Sequence, residues 1–266
     1  MSAKPPTSHL RHASARTAAF LAFVTAAVLV GAVVGGASAR SHTSQLTFKL
    51  DHYLCYSIKP TSGFRRKTVL VLDQYRPARK TYALRPELLC NPASKNESKV
   101  RNRRGHLLCY TTRVAGTFKT RRVSVTNQFG TVRLDVIRPN SLCLPSGKSI
   151  RPSVKAPRPK GLDHFQCYSV KSVTQPKEIA PVSVEDQFGQ GRYAVVPEPV
   201  RLCNPASKNK SLVVNKRDHL LCYAVDPSQS VEPKDVFVVN QFGRLFASTV
   251  EPRQLCVPSL KKTLTR

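Results

Sequence analysis

His52 and Cys55 stand three residues apart, and Cys90 follows further along the chain. The same trio recurs as His106, Cys109 and Cys143, as His164, Cys167 and Cys203, and as His219, Cys222 and Cys256. Imidazole and thiolate are the donors that zinc prefers. Two features argue against a metal. A strand turns residues i and i+3 to opposite faces, and no C-x-x-C is present. No metal site is expected, and the cysteines are read as disulfide partners. Asp73 and Asp186 could each serve as a carboxylate base, but Asn127 and Asn240 hold the same place in the other two units. Asp and Asn share turn-forming hydrogen bonds, whereas the exchange would abolish base chemistry. G-x-S-x-G, H-E-x-x-H and a phosphate-cradling Gly-rich loop are all absent. The expectation is no enzyme activity, no catalytic residue, no cofactor and no small-molecule substrate.

These residues belong to a repeat. H-x-x-C-Y occurs four times, at His52–Tyr56, His106–Tyr110, His164–Tyr168 and His219–Tyr223. Each is followed by a turn block: Asp73-Gln74-Tyr75, Asn127-Gln128-Phe129-Gly130, Asp186-Gln187-Phe188-Gly189 and Asn240-Gln241-Phe242-Gly243. Each unit closes on P-x-x-L-C-x-P, with a lysine three residues on (Lys95, Lys148, Lys208, Lys261). Fixed-period self-similarity of this kind must be read before secondary structure. The copies alternate, because only the first and third carry Cys-Asn-Pro-Ala-Ser-Lys-Asn (Cys90–Asn96 and Cys203–Asn209). An ancestral pair has therefore been duplicated as a pair.

Within a unit the apolar period is two, as in Val123-Ser124-Val125-Thr126, and 20 prolines disfavour helices. The fold expected is all-β, with three strands per unit. It is expected as two tandem disulfide-stapled domains, 46–149 and 161–262. Each would be a pseudo-two-fold, six-stranded small barrel or sandwich of two repeats of roughly 50 residues. A Pro/Lys/Arg linker at 150–160 would join them. The repeated histidines are expected to bond backbone carbonyls near strand starts, and the repeated tyrosines to sit in the core.

The motif set resembles an uncharacterised family of secreted bacterial repeat proteins, a domain of unknown function. The resemblance covers nearly all of 46–262 and implies export and repetition, with no activity attached. Tyr75-Arg76 departs from the Phe-Gly of the other turns, which puts the first turn in question.

Eight cysteines allow 105 pairings. The repeat narrows them to bridges within each unit (Cys55–Cys90, Cys109–Cys143, Cys167–Cys203, Cys222–Cys256), with pairing between units as the rival. The N-terminus agrees with an oxidising destination. Lys4, Arg11 and Arg16 precede an apolar run from Ala18 to Val34 and the small-residue site Ala37-Ser38-Ala39. Residues 1–39 read as a signal peptide and the protein as secreted or extracellular, with association at the cell envelope as the further expectation. Membrane attachment follows only if that segment stays uncleaved.

Charge is uneven. The chain carries a net +28. Residues 40–150 hold 22 basic and 5 acidic residues, whereas 161–266 hold 14 and 10. The excess falls on Arg65, Arg66 and Lys67, on Arg101, Arg103 and Arg104, and on Lys119, Arg121 and Arg122. Such clusters attract phosphate, sulfate or carboxylate polymers. The partner expected is an anionic polymer: teichoic acid, acidic polysaccharide or nucleic acid. The alternative is an architectural or protein-recognition module with no ionic ligand. Oligomeric state is unspecified.

Overall fold

Alternating apolar residues ended by Asx turns produce hairpins, and the apolar H-x-x-C-Y runs produce strands buried on both faces. The computed structural model describes residues 46–264 apart from 62, 152–155, 157–158 and 229, so the expected leader and much of the linker lie outside the described residues. The elements are β1 (His52–Pro60), β2 (Lys67–Asp73), β3 (Arg76–Lys95), β4 (His106–Val114), β5 (Arg121–Asn127), β6 (Gly130–Ser149), β7 (His164–Ser172), β8 (Val182–Asp186), β9 (Gly189–Lys208), β10 (His219–Pro227), β11 (Asp235–Asn240) and β12 (Gly243–Thr263). Three strands per repeat hold throughout. The third is longer than the sequence suggested: it runs 20 or 21 residues, straight through P-x-x-L-C-x-P. The prolines are tolerated because the first of each block meets the tyrosine of a neighbouring H-x-x-C-Y at a register shift. Those pairs are Pro86–Tyr110, Pro139–Tyr168, Pro199–Tyr223 and Pro252–Tyr56. A bulge relieves proline of a ladder hydrogen bond it cannot donate.

The first and third strands of all four repeats form one closed antiparallel ring, in the order β1, β3, β4, β6, β7, β9, β10, β12 and back to β1. Inside it lie all four cystines with Tyr53, Leu88, Leu107, Phe165 and Leu220. The bridges are those within units, each joining directly opposed residues. Neighbouring cystines touch: Cys55 Sγ lies 3.8 Å from Cys256 Sγ, and Cys143 Sγ 3.7 Å from Cys167 Sγ. The outward faces pack under the hairpins. Leu54, Tyr56 and Tyr168 meet Val123, Val125, Val182 and Val184 in one cluster. Leu89, Leu108 and Tyr110 meet Val69, Val71, Val236 and Val238 in another.

The two domains expected from the sequence are not separate. Residues 45–266 form one compact unit, and the hairpins explain why. β2 of the first repeat pairs with the end of β9 in the third, and β8 of the third pairs with the end of β3 in the first. The second and fourth repeats exchange β5 and β11 likewise, onto β12 and β6. Each half-chain therefore lacks the partner strands for its own hairpins. The first turn, questioned above, closes like the others: Asp73 Oδ1 accepts the backbone N–H of Tyr75 and of Arg76.

A fragment of residues 46–149 has open edges at β1, β2 and β5, which a second copy would fill with its own β3 and β6. Light scattering should find the oxidised fragment as a dimer of twice its chain mass and the full chain as a monomer. A folded, monomeric fragment would show that a repeat pair closes on itself.

Candidate functional site at the seam of repeats one, two and three

Each hairpin turn is seated by residues of two other repeats. Asp73 Oδ2 accepts from Tyr168 Oη at 2.9 Å and from Asn204 Nδ2 at 2.8 Å. Asp186 reciprocates, accepting from Tyr56 and, at 2.9 Å, from Asn91 Nδ2. In the other pair of repeats the polarity is reversed. Asn127 Nδ2 donates to Tyr223 Oη and Ser259 Oγ, and Asn240 Nδ2 donates to Tyr110 Oη and Ser146 Oγ. The two serines spend their own protons on the carbonyls of Val257 and Leu144, which leaves oxygen lone pairs to accept. An acceptor carboxylate thus meets an asparagine donor, and a donor amide meets a serine acceptor. This explains why only the first and third repeats carry Cys-Asn-Pro. The second asparagine of that block also follows from the exchange. Asn96 and Asn209, at φ 47° and 50°, bond the backbone of Ser183 and Leu70 through both main chain and side chain. Asparagine tolerates that left-handed conformation better than most residues.

The repeated lysine covers the aromatic residue of the next turn. Lys148 Nζ lies 3.9 Å from the Phe188 ring centroid and Lys261 Nζ 4.0 Å from that of Tyr75; Lys95 over Phe129 and Lys208 over Phe242 are longer, at 5.2 and 5.6 Å. Attraction to the ring face holds an ammonium at such distances. Lys148 also donates to Asn91 Oδ1 at 2.7 Å, and Lys261 to Asn204 Oδ1 at 2.7 Å. Burial pushes both amines down to about 7, opposed by the carboxylates of Asp186 and Asp73 respectively. Burial raises both carboxyls, opposed at Asp73 chiefly by the Asn204 and Tyr168 donors and at Asp186 chiefly by the Asn91 amide and the Phe188 backbone N–H.

The histidines differ from expectation. Among the described residues only His219 of the four bonds a backbone carbonyl, that of Arg217 at 2.8 Å. His52 Nε2 meets Gln128 Oε1 at 3.1 Å, and His219 Nε2 meets Gln74 Oε1 at the same distance, so a turn glutamine of the next repeat closes the seam. Gln74 also donates to the carbonyl of Lys216 at 3.0 Å. His164 Nε2 is buried with no hydrogen-bond partner among the described residues, and His106 breaks the pattern too. Its Nδ1 bonds Asn91 Oδ1 at 3.1 Å, and among the described residues none bonds its Nε2 or the exposed Gln187.

Beside His106 a cleft opens, about 1010 Å³ in volume. Three repeats line it. The connection between the first two brings Lys99, Arg103 and Arg104, the second contributes His106 and Lys148, the segment just after β6 contributes Arg151, and the third contributes Glu185, Asp186 and Gln187. Of the residues singled out for anionic partners, the structure brings Arg103 and Arg104 into this cleft. Arg101 lies beside it in sequence, its backbone N–H on Asp51. Arg65, Arg66 and Lys67 lie at the start of the β2 hairpin, where Arg66 and Arg113 both stack on Tyr82 at 5.3 and 5.7 Å. Lys119, Arg121 and Arg122 lie at the start of the β5 hairpin, where Arg122 forms a two-pronged ion pair with Asp135. The nine residues therefore lie on three elements: the connection before β4, the start of the β2 hairpin and the start of the β5 hairpin. Phe64 and Phe118, beside the last two clusters, have a packing role the charge pattern hid. Phe64 sits against Tyr110 and Phe242, and Phe118 against Tyr168 and Tyr75. Among the described residues no His/Cys/Asp/Glu group could hold a metal ion.

Two outcomes follow from this wiring. Asp73→Asn sets two amide donors against each other at Asn204 and should cost about 1–3 kcal/mol in denaturant unfolding. Adding Asn204→Val and Ala206→Ser recreates the arrangement of the fourth repeat, where Val257 and Ser259 stand at these positions, and should recover part of the loss; a triple mutant no more stable than Asp73→Asn would disprove the matching rule. The four seam histidines are held down, to about 4 for His52 and His164 and about 3 for His106 and His219, chiefly by burial. The unfolded chain then binds protons below about 6.5 that the folded chain refuses. The melting midpoint should therefore fall as pH drops from 7 to 4. The raised carboxyls of Asp73 and Asp186 act in the opposite sense and soften the fall.

No curated protein and no solved structure matches this chain. A family model described as a repeat of unknown function, DUF7450, matches residues 106–258. That span takes in the second and third repeats and most of the fourth, and the chain belongs to this family.

Proposed function

We propose that this is an exported, non-catalytic protein that binds an anionic polymer through the cleft between its first three repeats. The observation that carries the reading is the convergence of Lys99, Arg103, Arg104, Lys148 and Arg151 on one opening of about 1010 Å³. Those residues come from distant parts of the chain, so their meeting is a property of the fold. Four cystines suit an oxidising compartment. Among the described residues no helix is long and apolar enough to cross a membrane. The non-catalytic reading is supported by duplication, since His219, Lys261 and Asp73 repeat the His106, Lys148 and Asp186 arrangement at a seam closed by Gln74. A group placed twice by the repeat serves the repeat first.

A second reading, a protein-recognition module, is favoured by apolar side chains around the opposite seam. Leu212 is 90% exposed and Val214 71%, close in sequence to Asn209, which bonds the β2 backbone beside exposed Leu70 and Leu72. The two readings separate on charged matrices. The full oxidised chain should be retained on immobilised polyanion at low salt and released as salt rises. Replacing Arg103, Arg104 and Arg151 with Ser should remove most of that retention. Each exposed change should move stability by no more than about 0.5 kcal/mol. Retention that survives the triple change would shift the assignment to the other clusters or to the protein-recognition reading.

A further inference from the structure

The cleft is not uniformly basic. Glu97, Glu185 and Asp186 line it beside the cations, so a ligand of unbroken negative charge would meet carboxylates as well as guanidinium groups. His106 adds a directional feature. Asn91 is oriented from two sides. Its Nδ2 donates to Asp186 and its Oδ1 accepts from Lys148. The group facing His106 Nδ1 is therefore an acceptor, and Nδ1 carries the ring proton. Nε2 is then a bare lone pair. His106 is 4% exposed and lines the cleft. In the first and fourth repeats a glutamine of the next turn occupies the equivalent nitrogen; His164 Nε2 is buried without a partner among the described residues, whereas His106 lines the cleft, where a ligand can reach it. A lone pair that opens on the cleft matches a hydroxyl, not an acid group.

We infer that the cleft recognises an acidic polysaccharide, with His106 Nε2 accepting a sugar hydroxyl while Arg103, Arg104 and Arg151 hold the neighbouring acid groups. This rests on the binding reading above and gives it a ligand class. Glu97 and Glu185, misplaced for a bare polyanion, become acceptors for further hydroxyls. Burial holds His106 down to about 3, so the lone pair persists across the physiological range. The charged and titratable groups lining the cleft with it are Lys99, Arg103, Arg104, Lys148, Arg151, Glu97, Glu185 and Asp186. The volume, about 1010 Å³, suits several sugar units.

The test uses the full oxidised chain with polygalacturonate, which has acid groups and hydroxyls, polyphosphate, which has no hydroxyls along its chain, and dextran, which has no charge. Histidine ¹⁵N spectra of the unsubstituted chain should show the His106 Nε2 signal moving with polygalacturonate and staying put with polyphosphate. His106→Phe should weaken polygalacturonate binding about five- to tenfold, the worth of one hydrogen bond, and leave polyphosphate binding unchanged. Arg103→Ser with Arg104→Ser should weaken both polyanions, and dextran should not bind measurably. If polyphosphate binding depends on the arginines but the Nε2 signal is unmoved at saturating polygalacturonate, the saccharide assignment is wrong and the polyanion reading survives. If neither polyanion binds the unsubstituted chain, both fall. Loss of both by His106→Phe with native circular dichroism would also overturn the hydroxyl assignment.

Discussion

Every hairpin in the ring ends on a buried side chain whose hydrogen-bonding polarity must match a partner two repeats away. Asp73 and Asp186 can only accept, so they face the amide donors of Asn204 and Asn91. Asn127 and Asn240 turn their donors outward, so they face serine oxygens. An unmatched pair at such a site costs the full desolvation of a polar group. The matching therefore selects which repeat a hairpin may dock on. First docks with third, second with fourth, and the wrong neighbour offers the wrong polarity. Once the turns are seated, their aromatic residues lie under the lysines of the preceding repeat. The valines of the hairpins then cover the outside of the ring.

The inside of the ring obeys a different constraint. A closed set of eight strands leaves a space that side chains can just fill. Here cystines fill it in preference to large aliphatic groups, each bridge spanning directly opposed residues. Bridges over loops of this length contribute roughly 3–4 kcal/mol each in the chain-entropy model, before native strain is subtracted. The fold is thus held from within by covalent cross-strand links and from without by polarity-matched turns.

Strands, repeats and the cystine pairing were legible because each rests on local sequence: period two, turn blocks, one cysteine per strand. The division into two domains was misread because exchange between alternate repeats is non-local. Nothing in Val69 or Val71 says that β2 ends beside β9 rather than within its own half. The alternation of Cys-Asn-Pro was visible, but its cause lay in Asp73 and Asp186, more than ninety residues from their partners. The cleft was half legible. Arg103 and Arg104 stood out as charge, whereas His106, Lys148 and Gln187 looked like their counterparts in the other repeats. At the open seam Gln187 makes no bond to His106, and Gln74, which bonds His219, is the same residue type.

The closing pair of the ring, β1 against β12, joins Tyr53 to Cys256, close to the two ends of the folded region. Ordering contacts of such long sequence separation is slow, because the intervening chain must surrender its freedom before any contact rewards it. Each disulfide, by contrast, needs only its own repeat, with cysteines 34 to 36 residues apart. A chain delivered from its N-terminus can therefore oxidise repeat by repeat, yet the first hairpin has no seat until the third repeat arrives. During that interval unpaired strand edges and unseated aromatics are exposed together, the condition under which chains associate wrongly. The early bridges hold each unit in register through this wait, and their timing matters as much to the yield of folded protein as their strength does to its persistence.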